Sequence, residues 1–524
     1  MKKSLLILSS ILLVTAVSGQ SVNDALKISQ KPYVASASLY SQNFYEGTAR
    51  TAAMGNAFIS LGGDVGAISI NPAASGIYKY SEFSISPSVN AYRASSDYLG
   101  TTVNNNLANL GVSSVGYVGS FSKYNKSRRG SNFNLSFSIN KLNNYNSRFS
   151  ASGRTNQSSW LSSVAYGADG TLGTQLDMTN NNEYPFSIGV PWRSVLAYNA
   201  FLIDPLPDSD DTYFGATENL VGTSIVIGGD LDQNFTRETT GGLSEFVVNI
   251  GGGIANKFFY GVNIGIQSLN YTDRQIYSES AVNPALFNSG FDSFEHTYSQ
   301  TTSGVGLNAK LGIIYLPVKG LRIGATIATP TFMTISDEWD EKIVSNFINP
   351  SETYTKRSSI GDYNYNLVTP MRVGLGASCV IGTVGILSAD FEGVGYNWMK
   401  LSDNYGNTNP FDGQGGENEA IRNDFRFAKN FRFGFEVKPI PQLALRGGYS
   451  FYQSPETGSP DNHFVSVGAG VISKKGFFGD IAVIHKVKQT ENLRLYADIP
   501  GSTAPVGSLE NSALRLMLTF GFRF

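Results

Sequence analysis

NSALRLMLTFGFRF, residues 511–524, closes the chain, and its reading decides the fold. In an extended strand successive side chains point to opposite faces. Leu514, Leu516, Leu518, Phe520, Phe522 and Phe524 then share one face, and Arg515, Met517, Thr519, Gly521 and Arg523 share the other. Such a strand suits a wall with lipid outside and a polar lumen inside, and its two arginines are expected to face water. SNFNLSFSIN repeats the pattern, with Phe133, Leu135, Phe137 and Ile139 opposed to Asn132, Asn134, Ser136, Ser138 and Asn140. FRFAKNFRFGFEV sets Phe425, Phe427, Phe431, Phe433, Phe435 and Val437 in phase against Arg426, Arg432 and Glu436.

Working outward, comparable segments lie near 81–90, 112–123, 132–141, 244–255, 258–272, 302–316, 320–331, 370–382, 384–397, 422–437, 441–452, 463–473, 477–488 and 510–524. That is about fourteen, an even number, as bacterial outer-membrane barrels have. Short links around Asn256, at 316–320, around Gly382, at 438–441 and at 473–476 alternate with longer polar stretches at 273–301, 332–369, 398–421, 453–462 and 489–509. Alternating short periplasmic turns and long external loops is the habit of such barrels. SKYNKSRRG, near 122–130, falls on the short-turn side. The longest insertion, about 142–243, is expected to be an external loop, either ordered over or into the mouth or simply solvated.

Composition agrees. Charged residues make up 15% and glycines number 56, against about 25% charge in an average soluble domain. Lys and Arg total 39 against 41 Asp and Glu, so no basic footprint for nucleic acid exists. The opening MKKSLLILSSILLVTAVSGQ reads as a signal peptide over residues 1–19. No later window approaches the roughly 20 apolar residues of a spanning helix. The fold class is therefore all-β: a transmembrane antiparallel β-barrel over 81–524 with an N-terminal luminal plug, or hatch, containing short helices over 20–80. A lumen of this width must be filled or it leaks. Within the plug, TARTAAMGNAFISL reads as a helix ended by Gly62-Gly63, Asn71-Pro72 as a turn, and Gly76 as the bend into the first strand.

This order of signal peptide, small-residue helix, GGD, SINPA and first strand resembles the outer-membrane fatty-acid transporter family, FadL/TodX. The family's hatch carries an Asn-Pro-Ala motif, matched at Asn71, Pro72 and Ala73. Its Arg-x-Gly-x-x-x-x-x-Ser-Pro stretch with a following Pro-Asp is matched at Arg446, Gly448, Ser454, Pro455, Pro460 and Asp461. The insertion at 142–243 has no motif that aligns. The resemblance implies passive uptake of hydrophobic molecules such as long-chain fatty acids through an outer membrane, gated at Asn71, Pro72 and Ala73, with sideways exit through the wall. It implies outer-membrane lipids as surroundings and barrel-assembly machinery as a partner of the strand ending at Phe524. Arg50 and Asp64 are candidate anchors of the plug to the wall, or a solvated face. Phe44, Tyr45, Met54, Phe58 and Ile59 either meet an apolar ligand or pack the hatch.

Other chemistry finds little footing. Only His296, His463 and His485 exist, far apart, and no metal, cofactor or catalytic set is expected. His463 and Ser466, three apart on a strand, point to opposite faces. DEWDEK, 337–342, reads as an acidic external loop, solvated rather than cation-binding. The G-x-G pieces at 374–376 and 468–470 read as bends or close packing within strands, and the single Cys379 as a small apolar strand residue. A general porin for polar solutes, or a receptor or adhesin acting through 142–243, are the competing functions.

Overall fold

The computed structural model describes residues 32–122, 131–179, 184–348, 350–403 and 408–524. The leader at 1–19, the start of the plug and most of the SKYNKSRRG turn lie outside them. Alternation of apolar and polar residues builds fourteen antiparallel wall strands. They are β1 (Glu82–Tyr98), β2 (Thr101–Ser122), β3 (Ser131–Asn144, continued by Ser147–Thr155), β4 (Leu231–Ile254), β5 (Phe258–Ala281), β6 (Phe291–Tyr315) and β7 (Leu321–Ala328, then Phe332–Ile348). There follow β8 (Gly361–Val368, then Arg372–Ile381), β9 (Gly385–Gly395), β10 (Phe427–Ile440), β11 (Leu443–Tyr452), β12 (Asn462–Ile472), β13 (Phe477–Leu493) and β14 (Gly507–Arg523). Each pairs with its neighbour, and β14 closes on β1 from Glu82↔Arg523 to Asp97↔Ser508. Closure leaves no free edge, which a bilayer demands because unpaired backbone groups there find no water.

The phases read from the sequence are those of the wall. Phe133, Phe137 and Ile139 are exposed on β3 while Asn134, Ser136, Ser138 and Asn140 are buried inward. On β14, Leu514, Leu516, Leu518, Phe520 and Phe524 form part of the outer apolar belt. One assignment is corrected: Phe425 precedes β10 and is buried rather than lipid-facing. A second concerns Arg515 and Arg523, which meet Glu46 and Glu82 at 2.8 Å rather than facing open water.

The strands also run further outward than the sequence suggests. Much of 273–301, 332–369 and 489–509 is strand, not loop, and DEWDEK lies within β7. Asp337 there is buried and accepts a 2.5 Å bond from Thr302, and Glu341 pairs with His296 at 2.8 Å. Beyond the bilayer no lipid selects an apolar outer face, so the alternation that reveals a strand is lost.

Inside the lumen lie helix α1 (Pro32–Ser41) and the one-turn helix α2 (Ala49–Ala53), with the rest of 32–81. The insertion before β4 folds into the outer mouth as helices α3 (Trp160–Tyr166) and α4 (Trp192–Asn199) with two small hairpins. Its apolar core, including Leu161, Val195 and Leu196, packs on the inward residues Tyr277, Phe294 and Ile343 of β5, β6 and β7. Trp160 stacks with Phe294 and His296 at ring separations of 5.3 and 5.0 Å. Beneath it, buried Glu279 accepts from Ser159 Oγ (2.5 Å), Trp160 N (2.8 Å), Tyr277 OH (2.7 Å) and Gln233 Nε2 (2.9 Å).

Replacing Glu279 with Ala takes the acceptor from Ser159 Oγ, Trp160 N and Tyr277 OH, while Gln233 keeps Ser158 O and Tyr496 OH, and each unmatched buried donor costs about 1–3 kcal/mol. In E279A the insertion at 156–230 is expected to be cut by added protease at least roughly tenfold faster, following the population of the opened form. The barrel itself should keep its heat-modifiable mobility on a gel.

Candidate functional site: the plugged lumen

The hatch begins with α1, whose Tyr40 hydroxyl donates to Thr302 at 3.2 Å and whose Tyr33 ring lies 5.7, 5.2 and 5.4 Å from Tyr363, Tyr365 and Phe411. Burial pushes the Tyr33 phenol up to about 12. This aromatic cluster occupies the outer half of the lumen beside helix α5 (Glu417–Asp424). Below it the chain turns into α2, capped by Thr48, whose hydroxyl accepts from Thr51 N. The helix is shorter than TARTAAMGNAFISL suggests. It stops at Met54, and Gly55 and Asn56 take positive φ of 61° and 57°. Wall backbone forces this turn: a Cβ on Gly55 would stand 2.8 Å from the carbonyls of Phe433 and Tyr449.

The Asn71-Pro72-Ala73 motif caps a short 3₁₀ turn, Pro72–Ile77, with Asn71 Oδ1 accepting from Ala73 N at 3.0 Å. The Asn71 amide donates to Ile59 O at 2.6 Å and reaches the wall carbonyls of Ile313 and Ala325 at 3.2 and 3.4 Å. Asn249 of β4 donates to Pro72 O at 3.0 Å. One side chain thus ties two hatch segments to β6 and β7. Gly76, read as a bend, is instead a close approach, because a Cβ there would meet Gly252 O.

Contact this close needs a wall without side chains. Inward-facing glycines supply it: Gly312 lies against Asn71, Gly261 against Pro72, Gly324 and Gly376 against Ile59, Gly434 against Met54 and Gly468 against Ala53. A Cβ at any of them would overlap the hatch. In the G-x-G pieces of β8 and β12, Gly374, Gly376 and Gly468 therefore serve close packing of hatch on wall, whereas a Cβ on Gly470 would meet Asp480 and Arg446 of the wall itself.

Charge completes the docking. Arg50 pairs with Glu436 of β10 at 3.2 Å, and Arg446 of β11 joins Glu436 at 2.7 Å and Asp480 at 2.5 Å. Asp64 faces its own segment, accepting from Thr48 Oγ1 (2.7 Å) and Gly66 N (3.0 Å) with Arg50 at 3.7 Å. Burial raises its carboxyl above the usual range, while Arg50 and these two donors draw it back. Elsewhere Lys310 pairs with Glu245 at 2.7 Å and donates to Ser69 O, Arg372 pairs with Glu392 at 2.9 Å and donates to Ser41 O, and Asp390 accepts from Ile59 N at 2.8 Å. Lone inward charges inside apolar strands were the sequence signal for this ring, but only β10 and β14 made it obvious.

The five apolar residues singled out in the hatch all find protein partners. Met54, Phe58 and Ile59 are fully buried, Tyr45 lies under Arg432 with 5.5 Å to the ring centre, and Phe44 packs on Tyr452 and Phe464. In the second motif, Arg446 is in the ion network and Gly448 abuts Gly55. Ser454 N donates to Asp461 at 2.7 Å, closing the turn between β11 and β12.

The chain shares its fold with proteins of known structure. The Pseudomonas putida toluene transporter TodX matches with a TM-score of 0.52 at 12% identity, over 92% of this chain and 99% of that one. A Pseudomonas aeruginosa FadL homologue matches at 0.53 and 12%, over 92% and 100%. No family model and no curated protein sequence matches. Closed barrel, lipid-facing belt and this likeness place the protein as a β-barrel of a Gram-negative outer membrane.

Asn71→Ala removes the cap and leaves Ile59 O without its donor, a loss of about 1–3 kcal/mol from hatch docking. Gly312→Val, which drives a side chain into Asn71, is expected to do more. Both variants should retain a heat-modifiable barrel but show faster proteolysis within 32–80 and bursts of conductance in planar bilayers that the parent lacks.

Proposed function

We propose that this chain, which carries the FadL/TodX fold, is an outer-membrane channel for passive uptake of hydrophobic molecules, long-chain fatty acids among them. The observation that carries the reading is the occupied lumen. The hatch residues from Ala49 to Ser75 are almost all buried against the wall, so no wide aqueous path runs past them. A general porin needs such a path. An apolar solute does not: it moves between apolar surfaces and the bilayer, gaining about 25 cal/mol for each Å² withdrawn from water.

The proposed route begins at the outer aromatic cluster around Tyr33, Tyr363 and Phe411, which pairs an apolar surface with a few hydroxyls, as ligand sites do. From there the solute moves inward as the hatch shifts, with Asn71-Pro72-Ala73 as the joint, and it leaves sideways through the wall. Met54, Phe58 and Ile59 act in this scheme as the packed seat of the hatch, and Arg50 with Glu436 as its anchor.

The test uses a Gram-negative host without its own long-chain fatty-acid channel. Expression should raise uptake of radiolabelled oleate by roughly tenfold, equivalent to about 1.4 kcal/mol of barrier, while arabinose entry stays at the empty-vector rate. Arabinose entry without oleate uptake would mark a porin and end this reading.

A further inference from the structure

Besides a two-residue lapse at Ser86-Pro87 between β1 and β14, the wall is interrupted between β7 and β8 within its lipid-facing height. On β7 and β8, Ala328 pairs with Arg372 and Phe332 pairs with Val368, leaving three unladdered residues on each strand between them. These are Thr329-Pro330-Thr331 and Thr369-Pro370-Met371, so Pro330 lies opposite Pro370. Neither proline has an N–H to give the ladder. Thr369 N still donates to Thr331 O at 3.0 Å, but Thr331 N turns to the Thr369 hydroxyl at 2.9 Å and Thr329 N to Ala309 O of β6 at 2.9 Å. Both strands change phase here: Gly324 and Ala328 point inward before the break on β7, and Met333 and Ile335 after it. Matched bulges carrying facing prolines are a weak seam in a membrane wall, where each missing backbone bond is costly.

The seam has an apolar outside and a polar inside. Ile327, Phe332 and Leu375 are exposed around its outer rim, so it opens to acyl chains rather than water. Behind it runs a narrow cleft between the hatch residues Ser41 and Asn43 and the wall residues Asn308, Lys310 and Arg372. The hatch is pinned at this spot, since Arg372 donates to Ser41 O at 2.5 Å. Two buried polar atoms of cleft residues have no partner among the described residues: Ser41 Oγ and Asn308 Oδ1, on residues 2% and 5% exposed. Buried polar atoms left unmatched are uncommon and call for a partner.

We propose that the wall opens to the bilayer at the facing pair Pro330 and Pro370, with Ser41–Asn43 as its inner stopper. The solute that passes carries a hydrogen-bonding head, which accepts from the Ser41 hydroxyl and, where it is a hydroxyl or protonated acid, also donates to Asn308 Oδ1, while its tail enters the membrane. This rests on the channel reading above and fixes where its exit lies and what its solute must bear.

The decisive experiment locks the seam in the full-length protein, with Cys379 changed to Ser. T331C/T369C joins the two strands across the break. T334C/N366C joins them at paired residues in the intact ladder beside it, where the native side chains are 3.0 Å apart. Oleate uptake should fall at least about tenfold on oxidation of the first pair and return on reduction, as for a blocked gate, while the second pair has no effect. A mass-verified cross-link at the seam that leaves uptake unchanged overturns the proposal, and so does an equal loss with both pairs. Should the first pair fail to form, P330V/P370V restores two N–H donors and is expected to slow uptake at least about threefold; an unchanged rate overturns it equally. The parent separates the two readings, since a parent that takes up no oleate defeats the channel itself. For the head, S41A breaks no existing side-chain bond. It should lower uptake of 1-dodecanol against dodecane by at least about twofold, within the net worth of one hydrogen bond; an unchanged ratio removes the head from the proposal.

Discussion

A fourteen-stranded barrel encloses more space than its own side chains can fill, and everything inside this protein follows from that deficit. The filler is the chain's own N-terminal segment, and its fit depends on one interaction type above the others: backbone of the hatch lying directly on glycine of the wall. Where a strand elsewhere would present a side chain to the lumen, β5, β6, β7, β8, β10 and β12 present Gly261, Gly312, Gly324, Gly376, Gly434 and Gly468. Hatch carbonyls and amides come within reach of wall polar groups there, which explains how Asn71 alone can bond a hatch carbonyl and two strands of wall.

Close approach creates a second requirement. Hatch and wall bring polar backbone and charged side chains out of water together, and an unpaired charge in such a place would be expensive. Each inward carboxylate of the ring accordingly meets a cation or an amide: Glu436 with Arg50 and Arg446, Glu245 with Lys310, Glu392 with Arg372, Asp390 with Ile59 N. Buried pairs of this kind contribute little net stability over an apolar filling, but breaking one is costly. They set the register of the plug more than its strength. A seat that is specific yet not strongly stabilised is compatible with the proposed shift of the hatch.

Strand number, strand phase and the periplasmic turns were legible because lipid imposes a strict outer face. All fourteen segments found by alternation are wall strands, and the shortfall lies at their outer ends, where both faces meet water or protein. The phase reversals at Pro330 and Pro370 ended two of those segments early for the same reason: alternation read in one phase cannot cross a bulge. The hatch was legible as a location and through Asn71-Pro72-Ala73, but its one-turn helix was read too long, since Gly55 bends to suit the wall and not its neighbours in sequence. Phe425 kept the right phase and still missed the lipid, because the strand it belongs to begins two residues later.

By itself the sequence determined an all-β transmembrane barrel with a plug, since the two-residue period of side chains and the absence of a long apolar helix leave no other way to meet a bilayer. Which inward glycine receives which hatch residue, which arginine finds which carboxylate, and where two prolines face across a seam were decided only by tertiary structure. Those contacts join residues hundreds of positions apart. Their partners are fixed by the closure of the barrel and the stagger of its strands, which no local pattern encodes.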